Sequence, residues 1–185
     1  MGVRNPSLAS TILVALFAVA GIGMNCGGGG GTVHEARGHQ HFVNPHSKPI
    51  ALSPTSSELY VVNSPAGNLD VLLTTTGARQ RSVEVGVEPV GIAVKPDGTE
   101  VWVANHVSDS VSVVDVAPGS PSRYSVVRTI QTMDSALAST FDEPTGIAFA
   151  GNGKAYVSLS SRNQIAVVDT ATYAVTNVLQ LNAQE

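Results

Sequence analysis

Residues 89–98 read Pro89-Val90-Gly91-Ile92-Ala93-Val94-Lys95-Pro96-Asp97-Gly98, and an apolar run, Glu100-Val101-Trp102-Val103-Ala104-Asn105, follows at once. A third run, Val111-Ser112-Val113-Val114-Asp115, comes after one further turn. Working back from it by 42 positions, the same order appears as Ile50-Ala51-Leu52-Ser53-Pro54, Glu58-Leu59-Tyr60-Val61-Val62-Asn63 and Leu69-Asp70-Val71-Leu72. Working forward, it appears again as Pro144-Thr145-Gly146-Ile147-Ala148-Phe149, Lys154-Ala155-Tyr156-Val157-Ser158 and Gln164-Ile165-Ala166-Val167-Val168-Asp169. The chain is therefore built from three copies of one unit, and an internal repeat of this period decides the fold before any other feature does.

Each run is about six residues long, rich in β-branched and aromatic side chains, and bounded by turn residues such as Pro96-Asp97-Gly98 and Gly151-Asn152-Gly153. A fourth run closes each unit, over residues 82–86, 124–130 and 174–181. Four short antiparallel strands in ~42 residues make one blade of a β-propeller. The fold class is all-β, with three four-stranded blades at about 46–88, 89–143 and 144–185. Closed propellers use ~4–8 blades, so three leave a ring open. The expectation is a longer protein, or a ring assembled from two or more chains.

The strand Tyr60-Val61-Val62-Asn63 and its counterpart Trp102-Val103-Ala104-Asn105, set between the strand-and-turn of residues 89–98 and a Val-x-Val-Val-Asp strand, resemble the YVTN family of β-propeller repeats. The resemblance spans about Pro49 to Leu181. It departs at Thr55-Ser56-Ser57 in place of the Asp-Gly turn, at Leu73 in the place of Asp115 and Asp169, and at Leu159 in the place of Asn105. The family's repeat motif carries no catalytic residue, so the resemblance implies a scaffold. Gly91 and Gly146 are expected where blades converge and a side chain would obstruct. Asn63, Asn105, Asp115 and Asp169 are expected to bond turn backbone. Tyr60, Trp102 and Tyr156 are expected to pack between blades.

Ahead of the repeats, residues 1–25 have the layout of an export signal: Arg4, then an apolar run from Leu8 to Val19 and small residues. Ala18-Val19-Ala20 offers an ordinary signal-peptidase site, and the single cysteine, Cys26, offers another. Cys26 follows the apolar run and precedes Gly27 to Gly31, which resembles a bacterial lipoprotein signal despite Gly23-Met24-Asn25 before it. A lone thiol in an exported chain favours lipidation at Cys26. Residues 26–45 are a Gly- and His-rich tether; His34, His39, His41 and His46 are unevenly spaced and supply no fixed metal geometry. The expected location is the cell envelope, periplasmic or outer-surface, with the membrane reached through the lipid.

Charged residues are 13% of the chain, with ten Lys and Arg against fourteen Asp and Glu, a formal net charge of −4. That balance argues against disorder and against nucleic acid as a partner. One cysteine excludes a disulfide framework, and no C-x-x-C-H is present for c-type haem. No Gly-x-Ser-x-Gly elbow, His-Glu-x-x-His helix or P-loop occurs. Catalytic, cofactor and metal residues are thus expected to be none. Glu84 and Glu88 read as rim carboxylates and His106 as a solvated turn residue. The one stretch outside the repeat is Met133 to Glu143, where Met133, Leu137, Phe141, Asp142 and Glu143 mix apolar anchors with a polar rim. The expected function is a non-enzymatic binding or scaffold module whose partner is an envelope protein or ligand, touched by that loop. The alternative is the propeller part of a larger enzyme, resembling lactonase-type propellers or those fused to c-type cytochromes.

Overall fold

The computed structural model describes residues 46–136 and 138–181, all within one compact unit, Gln40–Glu185. The signal, Cys26, His34, His39, His41 and Leu137 lie outside the described residues. Twelve strands form three four-stranded antiparallel sheets. The first blade holds β1 (Ile50–Leu52), β2 (Glu58–Asn63), β3 (Asn68–Leu73) and β4 (Arg79–Glu84) in that order. The second holds β5 (Pro89–Val94), β6 (Glu100–Asn105), β7 (Ser110–Asp115) and β8 (Ser125–Ile130). The third holds β9 (Pro144–Ala150), β10 (Lys154–Leu159), β11 (Gln164–Asp169) and β12 (Val175–Gln180). The chain is an all-β propeller with three described blades.

Period-two alternation sends successive side chains of each strand to opposite faces. In β2, Tyr60 and Val62 face blade two, where they join Leu69, Ile92, Val101 and Val103 in one buried core. In β6, Trp102 faces blade three and joins Val111, Val113, Ala155, Val157 and Val168 in a second core. Each core therefore lies between two blades, and blade two is buried on both faces. Tyr156 occupies the place of Tyr60 and Trp102 but is only half-buried, because no described blade covers its face.

The inner strands approach closely. A Cβ on Gly91 would stand 2.3 Å from the Thr145 carbonyl oxygen and 2.5 Å from Ser47 Oγ, so only glycine fits there. Just before β1, Lys48 pairs in parallel with Gly91: Ser47 N donates to Val90 O at 3.0 Å and Ile92 N to Lys48 O at 2.9 Å. Val62 N donates to Pro49 O at 2.9 Å, so residues 47–49 bond to two blades at once.

A charged latch repeats at both interblade contacts. Glu58, buried in blade one, accepts from Tyr60 Oη at 2.8 Å, from Arg123 Nη2 at 2.7 Å and from the Tyr124 hydroxyl. Glu100 accepts from Trp102 Nε1 at 2.8 Å and from the Tyr173 hydroxyl at 2.9 Å. Tyr124 and Tyr173 hold the same turn position, with φ of 64° and 59°. Burial, then the hydrogen bond to the glutamate, pushes each of these phenols up to about 12, and both causes raise Tyr60 further.

Several details differ from the sequence reading. The fourth strand of blade one begins at Arg79, because Leu73 N bonds Ala78 O at 2.9 Å and closes the preceding turn early. Its alternating charges, Arg79-Gln80-Arg81, hid a solvent-facing edge strand. Asn105 bonds no turn backbone; its Nδ2 donates to Ser112 Oγ at 2.9 Å and Ser110 Oγ at 3.2 Å, across to the neighbouring strand. The aspartates do cap their turns. Asp115 Oδ1 accepts from Ala117 N at 2.9 Å, and Asp169 Oδ1 from Thr172 N at 2.8 Å. Burial works to raise Asp115, but hydrogen bonds from Ser120 and Ser122 outweigh it and hold the carboxyl below its ordinary value.

Candidate functional site

At one end of the sheets, the residue ahead of each inner strand meets the turn between the second and third strands. Glu88 precedes β5 and Glu143 precedes β9; both have left-handed backbone, with φ of 54° and 49°. The residue that follows each is a proline, which disfavours the helical region and narrows the choices for these glutamates. His106 N donates to Glu88 O at 2.9 Å, and Ser160 N to Glu143 O at 3.1 Å, so the same bond fixes both places. Asp109, with φ of 48°, ends the β6–β7 turn and accepts from Glu143 N at 2.9 Å through Oδ1.

These turns wall an open cleft of about 500 Å³ lined by Glu88, His106, Val107, Asp109, Asp142, Glu143 and Ser161. Four carboxylates thus converge from three segments, Glu88, Asp109 and the adjacent pair Asp142-Glu143. His106 is only 3% exposed, contrary to its reading as a solvated turn residue; the tight β6–β7 turn folds it inward. Glu84 is exposed at the end of β4 and is not among the cleft residues. Among the described residues, no group of three His, Cys, Asp or Glu side chains is arranged to hold a metal ion.

The inserted loop folds on itself. Met133 bridges Ser139, Asp134 N donates to Ala138 O at 2.9 Å, and Thr140 N to Thr132 O at 2.8 Å. Asp134 Oδ1 accepts from Ala136 N at 2.8 Å and Ala138 N at 3.0 Å, which satisfies the loop's backbone locally. Phe141 is fully buried within the core between blades two and three. That placement removes Phe141 from any partner-contact surface and makes it the pin that holds the loop down. Arg162 pairs with Asp142 and donates through Nη2 to Ser139 O at 3.0 Å, tying the loop to blade three. Of the expected contact residues, Met133 is 54% exposed, while Asp142 and Glu143 line the cleft. The sequence missed Glu88, Asp109 and His106 as neighbours of that loop. The recurring Glu-Pro at 88–89 and 143–144 was the available signal.

Chemically, the cleft offers hydrogen-bond acceptors and negative charge on a preformed concave surface. Beside it, Ser160 Oγ donates to Glu143 O at 3.0 Å and to Glu143 Oε2 at 3.3 Å, so that carboxylate is held by its neighbour. Neither a protein-family model nor a curated protein matches the sequence. Solved structures do match. Hydrazine synthase of Kuenenia stuttgartiensis is 29% identical with a TM-score of 0.60, over 75% of this chain and 38% of that one. U3-55K is 14% identical with a TM-score of 0.58, over 74% and 41%. AztD of Citrobacter koseri is 18% identical with a TM-score of 0.52, over 69% and 32%. This chain thus spans well under half the length of each, and what it shares with them is the β-propeller fold.

Proposed function

We propose that this chain is a YVTN-repeat propeller, exported and lipidated at Cys26, that holds a partner at the cell envelope without catalysing a reaction on it. The observation that supports binding is the cleft: the carboxylates of Glu88, Asp109 and Glu143 on three backbone-bonded segments, with Asp142 paired to Arg162 beside them, open to solvent over about 500 Å³. A rigid concave surface loses little entropy on association, and its charge selects a partner segment bearing Lys or Arg. Exposed Met133, on the self-bonded loop, supplies an adaptable apolar contact in the same unit.

The test is capture from an envelope extract by wild type and by Glu88→Gln/Glu143→Gln. The expected result is a partner retained by wild type, released as salt rises and lost by the double variant, with an unchanged circular-dichroism spectrum. Equal capture by both proteins would overturn the cleft's role. For the anchor, intact mass of the membrane-extracted chain is expected to show an acylated start at Cys26; a start at Gly21 with a free thiol would exclude it. A second reading, the propeller portion of a larger redox enzyme, draws support from the 29% likeness to a chain of hydrazine synthase. Tightly bound haem in the protein as purified from its cell would favour that reading over the first.

A further inference from the structure

The three described blades are laid out in one direction, so the two end faces among them are of opposite kinds. Blade one bares the face carrying Ile50, Leu52, Leu59 and Val61; Ile50 and Leu52 are 49% and 52% exposed. The same places in blade two are Ile92, Val94, Val101 and Val103, which lie in or against the first core. In blade three they are Ile147, Phe149, Ala155 and Val157, which lie in or against the second. At the other end, blade three bares Tyr156, Ile165 and Leu179, the last 40% exposed. Their equivalents, Tyr60, Leu69 and Val83 in blade one, are buried, as are Trp102, Val111 and Ile130 in blade two. Each bare face is therefore the shape of surface that the other kind covers twice within this chain.

The latch residues say which blade fits. Lys154 stands where Glu58 and Glu100 stand in the first two blades. Gly77, with φ of 68°, stands where Tyr124 and Tyr173 stand. Both members of the latch are absent, and they are absent from the two faces in question. A blade bearing the tyrosine would bring its hydroxyl to Lys154 with no carboxylate to accept it. Blade one brings Gly77 instead, so no hydroxyl or buried carboxylate is left without a partner.

We propose that the bare face of blade three takes the bare face of blade one from a second copy of this chain, and the reverse. The contact is heterologous, and such contacts either close or run on into fibres.

Two differently tagged full-length chains, co-expressed and extracted in detergent, test this by mutual capture. Val61→Lys alters only the face of blade one, and Ile165→Lys only that of blade three. Wild-type chains are expected to capture each other one to one. Either variant paired with itself is expected to lose capture at least tenfold, because both contacts carry a lysine. Mixing the two variants is expected to restore capture, since one contact then has two native faces while the other holds both lysines. Absence of wild-type capture would overturn the proposal, as would capture retained by either variant alone. Loss that mixing fails to restore would also overturn it, since one contact is then native on both sides. Should a lysine variant fail to fold by circular dichroism, Val61→Ala and Ile165→Ala take their places with the same outcomes.

Discussion

At the scale of single residues, the most informative groups are three phenols. Tyr124 and Tyr173 are held at about 12 by burial and by donation to Glu58 and Glu100 respectively, and Tyr60 is raised by the same causes. A phenol whose folded pKa exceeds its ordinary value near 10 favours the fold in its neutral form. The stability it contributes is complete below about 10 and is lost as pH rises through about 12. Alkaline unfolding between those values is therefore expected to coincide with a rise in tyrosinate absorbance. Ionisation of Tyr60, Tyr124 and Tyr173 ahead of any loss of circular dichroism would contradict the latch. Glu58 and Glu100 were visible in the sequence only as strand-opening residues. Their partners Tyr124 and Tyr173 stand 66 and 73 positions away, beyond what local spacing can connect.

At the scale of the element, Gly91 sets how near the inner strands can come. Gly91→Ala is expected to cost about 1–3 kcal/mol, the usual range for overpacking, since the atoms a methyl would meet include backbone. Chemical denaturation checks it; a midpoint equal to wild type would mean that the inner strands have slack. Strand order was legible because β-branched runs and turn residues repeat with fixed spacing. The start of edge strand β4 was not, because Arg79-Gln80-Arg81 offers no apolar residue to read. Phe141 was read as an anchor for a partner and is an anchor for the loop itself. Sequence shows that an apolar residue in an insertion must be covered, not by what.

At the scale of the whole molecule, blade two is the shared support, since one core lies on each side of it. Trp102 crosses from it to blade three, meeting Phe149 edge-on at 5.2 Å and Tyr173 at 6.1 Å. Stacked repeats hold together through nearest-neighbour contacts, so weakening one contact uncouples what lies beyond it. Calorimetry of wild type is expected to show one transition. Trp102→Ala is expected to lose about 3–5 kcal/mol at that contact and to split off an earlier transition for blade three. A single transition merely shifted downward would show that the coupling runs by another route.

The parallel pairing of Lys48 with Gly91 has a mechanical consequence. Tension applied through the chain ahead of His46 does not peel β1 off its own sheet first. It meets the bonds from Ser47 to Val90 and from Lys48 to Ile92, which lie across the line of pull and share the load in shear. Force arriving at this end of the propeller is thereby passed past the outermost blade and into the one that both cores support.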